Sequence, residues 1–211
     1  MALYDVKPRF RALLAGLVPV LRPIHPDWIT FSALVCSIAA AGLFQSAERL
    51  RWPFLAIPLL LLVRITLNAL DGMVAQATGK ARAFGEVLNE GTDRLSDVAI
   101  LLGIAVSPLS SLAWGTAATV AVLLSSYVGI LGKAVGAGRQ YGGVLGKADR
   151  MLYLGLACEA AFFVGNPVLA RMGGAPLTLF DCLLGAFAVL ALVTALQRVL
   201  AIHRILRGRP A

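Results

Sequence analysis

Apolar residues run through this chain in six stretches, each separated from the next by a short polar or basic joint. They fall at about 28–47, 53–76, 86–106, 111–133, 150–166 and 177–202. A membrane-spanning helix needs roughly 20 mostly apolar residues, so the pattern predicts six such helices. The third is polar in its first half and apolar from Val98 onward; the fifth is short and carries Glu159. Ahead of the first lies "MALYDVKPRFRALLAGLVPVLRP", basic, with short apolar segments broken by charge and proline. That is the pattern of an amphipathic helix lying in the membrane interface, not of a cleavable signal. The elements predict an all-α membrane protein formed as a single domain over residues 1–211, with an interfacial arm at 1–25 and no separate soluble part.

Composition agrees. The chain is 59% hydrophobic and 14% charged, against about 25% charged in soluble domains. Its net charge of +8 reads as basic loops facing anionic lipid, with no nucleic-acid role. Those loops set the orientation. Lys7, Arg9, Arg11 and Arg22 precede the first helix, Lys80 and Arg82 follow the second, and Lys133, Arg139, Lys147 and Arg150 lie between the fourth and fifth. Arg204, Arg207 and Arg209 close the chain, whereas the opposite side has Arg49, Arg51 and Arg171. By the positive-inside rule both termini are cytoplasmic. Cys36, Cys158 and Cys182 are odd in number, form no C-x-x-C and read as packing residues.

Two polar clusters interrupt this apolar chain. The second helix ends in "NALDG", and the third begins with "GEVLNEGTDRLSD". A short loop joins them, so both face the cytoplasmic side of one helical hairpin. Residues at i, i+3 and i+4 share a helix face, which aligns Asn68 with Asp71 and stacks Asn89, Asp93 and Asp97, with Glu86 and Glu90 flanking. Carboxylates and amides offer oxygen alone, which suits Mg²⁺, Mn²⁺ or Ca²⁺. His25 and His203 lie elsewhere, so the set does not suit zinc. Gly72 and Gly85 clear space beside the acids for a close approach. The structural alternative is a salt-bridged polar start to the third helix, with Arg82 and Arg94 as partners.

The spacing of these residues resembles the signature of the CDP-alcohol phosphatidyltransferases, D-x2-D-G-x2-A-R-x8-G-x3-D-x3-D. Its positions fall without a gap on Asn68, Asp71, Gly72, Ala75, Gln76, Gly85, Asn89 and Asp93. Six spans behind an amphipathic arm resemble the family across the chain. Three positions depart: Asn68 and Asn89 stand where the family has its first and third aspartates, and Gln76 where it has arginine. A branch of the family with N-A-L-D-G and L-N-E at these places is the more similar one.

The resemblance implies an integral membrane enzyme, placed in a bacterial inner membrane with its site on the cytoplasmic side. It would move a phosphatidyl or related group from a CDP-alcohol, CDP-diacylglycerol being the usual donor, to an acceptor alcohol, releasing CMP. It implies Asp93 as the catalytic base and one or two Mg²⁺ or Mn²⁺ ions on Asn68, Asp71, Asn89 and Asp93, with Glu90 and Asp97 as further candidate ligands. Gly72, Ala75, Gln76 and Gly85 would receive the CDP portion. Arg139, Lys147 and Arg150 would receive the acceptor, which is often phosphorylated; as positive-inside residues they have a plain alternative role. A homodimer is implied as well. Arg64, one turn above Asn68, reads as a partner for a cavity acid or a structural bridge, and Thr30 as a residue on the nucleotide side. Two other functions compete: a non-catalytic relative that binds CDP-lipid or a protein partner, and a small transporter. The crowding of polar residues into one leaflet argues against transport.

Overall fold

The computed structural model describes residues 7–208. The arm forms α1 (Lys7–Leu14), a single 3₁₀ turn and α2 (Val18–Leu21). Its remaining residues, 1–6, lie outside the described part. Six long helices follow: α3 (Pro26–Leu50), α4 (Pro53–Ala77), α5 (Ala83–Ala105), α6 (Leu112–Ala134), α7 (Lys147–Val164) and α8 (Leu179–Arg207). Proline at the first helical position starts α3 and α4, where its fixed φ fits and its missing N–H costs nothing. Gly146 precedes α7, and its N–H donates to Asp149 Oδ2 at 2.7 Å.

Four of these helices, α3, α4, α6 and α8, are long and apolar enough to cross a membrane. α5 and α7 match the positions expected for the third and fifth spans but carry the polar clusters in their first halves. One element departs from expectation. The joint between α7 and α8 is an antiparallel hairpin, β1 (Val168–Met172) against β2 (Ala175–Thr178). Gly173 and Gly174 form its turn with φ of +57° and +84°, the left-handed pair that tight hairpins require.

α3 packs along α4 and α5, α6 along α5 and α8, and α7 along α4. Small residues set the spacing. A Cβ on Gly103 of α5 would sit 2.6 Å from that of Ala41 on α3, and one on Gly115 of α6 would sit 2.1 Å from that of Ala105 on α5. Such positions let helix backbones approach closely. The main apolar core lies toward the hairpin end, where Phe54 stacks on Phe180 at 6.0 Å and Phe44 meets the same ring edge-on at 6.1 Å. A smaller cluster of Leu14, Ile29, Leu70 and Val74 seats the arm against the other end of α4. Apolar packing therefore closes one end of the bundle, and the polar half-helices are left to meet at the other.

Candidate functional site

α4, α5 and α7 bring their polar turns together around a cavity of about 1460 Å³. α4 contributes Asn68, Asp71, Gly72, Ala75 and Gln76; α5 contributes Gly85, Asn89, Glu90 and Asp93. Lys147 and Arg150 enter from the first turn of α7, and Arg139 from the loop before it. Residues drawn from three segments of the sequence thus line one space. Asp97 does not line it.

Asp71 is 2% exposed. Its Oδ2 accepts from Thr30 Oγ1 and from Asn89 Nδ2, both at 2.8 Å, and its Oδ1 accepts the Gly72 N–H at 2.5 Å. Thr30 thus reaches the site from α3. Asp93 faces Asp71 from α5. Its Oδ1 accepts from Asn68 Nδ2 at 2.7 Å and from Lys147 Nζ at 2.5 Å. Its Oδ2 accepts no hydrogen bond among the described residues and stands 3.8 Å from an Arg94 nitrogen. Each asparagine therefore crosses to the other helix's aspartate, Asn68 to Asp93 and Asn89 to Asp71, and cross-links α4 to α5.

Two expected ligands are engaged elsewhere. Asp97 lies one turn deeper than Asp93, is 1% exposed, and holds Arg64 and Arg150 at 2.7 Å each. With both oxygens on buried guanidiniums and no face on the cavity, it ties α4, α5 and α7 together. Arg64 is the structural bridge of the two roles considered for it. Glu90 stays on the cavity wall but is held by Arg139 at 2.9 Å and Arg94 at 3.6 Å. It faces cations, not the two aspartates, so it does not replace the charge missing at residue 89.

The basic residues are also partnered. Arg139 bridges Glu86 at 3.0 Å and Glu90, and donates to the Tyr141 hydroxyl at 2.7 Å. Burial works against its charge, but Tyr141, Glu90 and Glu86 outweigh that and raise its pKa above the ordinary arginine value. Sequence reasoning missed Arg198. It lines the cavity from α8 and donates to the Ser125, Tyr141 and Gly142 carbonyls, with no carboxylate partner among the described residues. An arginine inside the last span was the available signal, since intramembrane charges face bundle interiors. At Gly72 a Cβ would meet nothing within 4 Å, and at Gly85 only Arg82 Cγ at 3.4 Å. Neither glycine is required by protein packing, so the space they leave belongs to the cavity.

No described family profile matches the sequence. Individual proteins do. The chain is 34% identical over 160 residues to the inner membrane protein YnbA of Escherichia coli, covering 74% of this chain and 78% of that one. It is 30% identical over 208 residues to the phosphatidylinositol phosphate synthase of Cutibacterium acnes, covering 90% of this chain and 95% of that enzyme. Its fold matches crystal structures of the Mycobacterium tuberculosis phosphatidylinositol phosphate synthase. The form with CDP-DAG bound gives a TM-score of 0.67 at 23% identity, covering 92% of each chain. The complex with manganese and citrate gives 0.67 at 22%, covering 92% of this chain and 88% of that one. Identity of this extent, carried over almost the whole length of a synthase, makes this chain a member of the CDP-alcohol phosphatidyltransferase family, a membrane transferase of phospholipid biosynthesis.

Proposed function

We propose that the protein moves a phosphatidyl group from CDP-diacylglycerol to an acceptor alcohol with release of CMP. The observation that carries this reading is the pairing of Asp71 and Asp93 across one cavity, with glycines beside them that the protein's own packing does not need. The cavity also runs down between the apolar faces of α4 and α7, past Leu59, Leu62 and Leu156, which suits a donor with a polar head and acyl chains.

Asp93 is the base. Asn68 and Lys147 hold its Oδ1, which fixes the carboxylate and leaves Oδ2 to take the acceptor's hydroxyl proton. The acceptor oxygen then bonds to the phosphorus bearing the diacylglycerol, and the bond from that phosphorus to CMP breaks. Thr30 and Asn89 fix Asp71 in the same way. Gly72, Ala75, Gln76 and Gly85 form the wall beside Asp71 where the CDP portion fits.

The donor set suits a hard divalent cation. The Asn68 and Asn89 amide nitrogens are spent on Asp93 and Asp71, so their carbonyl oxygens would join those two carboxylates in holding the ion. When bound, Mg²⁺ or Mn²⁺ supplies charge that offsets the pyrophosphate and the leaving CMP.

The acceptor is an anionic, phosphorylated alcohol. Arg94, Arg139, Arg150 and Arg198 line the same cavity, and guanidiniums suit phosphate oxygens. All six long helices span the bilayer, α5 and α7 included, because their polar halves face the cavity and their outer halves are apolar. Both termini and the site are on the cytoplasmic side of a bacterial inner membrane, an orientation the basic joints favour, and the working unit is a homodimer.

The test is CMP release from CDP-diacylglycerol by the purified protein, with Mg²⁺ or Mn²⁺, across phosphorylated and unphosphorylated acceptors. Metal-dependent release with a phosphorylated acceptor, absent in Asp93→Asn, is expected. Binding of CDP-diacylglycerol with no release across the panel would instead identify a non-catalytic relative.

A further inference from the structure

The two cavity carboxylates differ in what already holds them. Asp71 accepts from neutral donors alone: a hydroxyl, an amide and a backbone N–H. It is buried, and no cation of the protein pairs with it among the described residues. Asp93 has an ammonium on it. Lys147 Nζ and Asn68 Nδ2 both donate to its Oδ1, and a carboxylate oxygen has two lone pairs to give, so that oxygen is filled. Lys147 is not a loose surface chain. It is the first residue of α7, whose start is fixed by the Gly146 N–H on Asp149. The next turn of α7 is anchored by Arg150 on Asp97.

Charge points the same way. With the Lys147 ammonium on Asp93, the two aspartates keep one net negative charge, which a single divalent ion already offsets. A second divalent ion would enter beside an ammonium and within reach of Arg94, and like charges in a buried site repel strongly. The two asparagines contribute oxygen but no charge to offset it.

We propose that the chain binds a single divalent cation, on the Asp71 side, and that Lys147 takes the place of a second one. Its ammonium is a built-in positive charge at Asp93 that meets the far side of the donor's pyrophosphate. Lys147 thereby passes from the acceptor site, where the sequence pattern puts it, to the donor site. This inference rests on the reading of the cavity as a CDP-alcohol site.

The experiment counts Mn²⁺ bound per chain by electron paramagnetic resonance on the full chain in lipid nanodiscs, with saturating CDP as the nucleotide probe. CDP affinity is measured in parallel by calorimetry. One Mn²⁺ per chain is expected. Lys147→Met should weaken CDP binding about tenfold, the loss of one charge-assisted contact, whereas Lys147→Arg keeps affinity within about threefold because the charge stays. Lys147→Met combined with Asn68→Asp and Asn89→Asp should bind two Mn²⁺. Two Mn²⁺ on the unaltered chain, or CDP bound with none, overturns the proposal while leaving the CDP-site reading intact. So does a Lys147→Met protein that binds CDP unchanged. Neither Mn²⁺ nor CDP bound would overturn both. If the triple variant fails to fold, the count on the unaltered chain and the Met and Arg pair still decide.

Discussion

At the hairpin end of the bundle, Asp181 begins α8 with its oxygens filled by the protein. Oδ1 accepts from the Ser110 hydroxyl at 2.7 Å and the Ser111 N–H at 2.8 Å, and Oδ2 from the Thr178 N–H and hydroxyl, both at 3.0 Å. At the opposite end, among the described residues, Asp93 Oδ2 accepts no hydrogen bond and Asp71 pairs with no cation. Both ends bury an acid against hydrogen-bond donors. Only one end puts those acids on a cavity and leaves part of their bonding capacity unused. Burial of a carboxylate therefore does not mark a site by itself; the unfilled capacity does, and Asp97, buried more deeply than Asp93, makes the same point within a single helix.

The contrast breaks most sharply at Asp93. Asp93→Asn keeps the shape but removes the base, and turnover should fall by about 10²–10⁴-fold while stability falls by less than in Asp97→Ala, because the Lys147 ammonium left unpaired faces the cavity. CMP release and thermal unfolding, read on the same sample, check it. A stability loss without a turnover loss would move Asp93 to the structural class of Asp181. Asp97→Ala should do the reverse. It strands Arg64 and Arg150 in the interior, and breaking a buried pair costs about 3–5 kcal/mol. Denaturant unfolding of the variant measures that loss. An Asp97→Ala protein of normal stability but without metal binding would restore Asp97 as a ligand.

The six long helices and the hairpin of α4 and α5 were legible because each rests on local pattern. Spacing along a helix puts Asn68 and Asp71 on one face and Asn89 and Asp93 on another, and a short loop forces the faces together. Periodicity gives direction around a helix axis but not the neighbour found there. By that rule Asp97 shares a face with Asp93, yet Arg150, 53 residues later, claims it. The pairs Lys147 with Asp93 and Arg198 with the Tyr141 carbonyl span 54 and 57 residues, and no sequence window holds both partners. The β-hairpin was missed for another reason. Its signal, Gly173-Gly174, was local and present, but a window tuned to apolar runs reads through it.

A smaller effect sharpens the assignment of the cavity itself. Gly72→Val adds side-chain atoms where the protein has nothing within 4 Å. The fold should tolerate the change, since Gly72 lies inside α4 and valine is the better helix former by about a few tenths of a kcal/mol. CDP affinity should drop about tenfold as the side chain fills ligand space. Calorimetry with CDP reads the second effect and thermal unfolding the first; unchanged CDP affinity would move the nucleotide away from Gly72.

The smallest expected change returns to Asp181. Asp181→Ala removes one half of a reciprocal cap: the carboxylate that accepts from the Thr178 N–H and hydroxyl is lost, while the residue-181 N–H still donates to Thr178 Oγ1 at 3.1 Å. It also frees the Ser110 and Ser111 donors. Losing such a cap typically costs about 1 kcal/mol, and at a bilayer surface water can satisfy part of what is left. Stability should fall by about that much, while CMP release per folded molecule and Mn²⁺ binding stay unchanged, because nothing in the α8 cap touches the cavity. The comparison is strict, since Asp181 and Asp71 are buried to a similar degree, at 5% and 2% exposed. If Asp181→Ala lowered Mn²⁺ binding as Asp71→Ala should, the two ends of the bundle would be coupled through the helices between them, and unfilled bonding capacity would no longer separate the acid that holds the fold from the acid that serves the site.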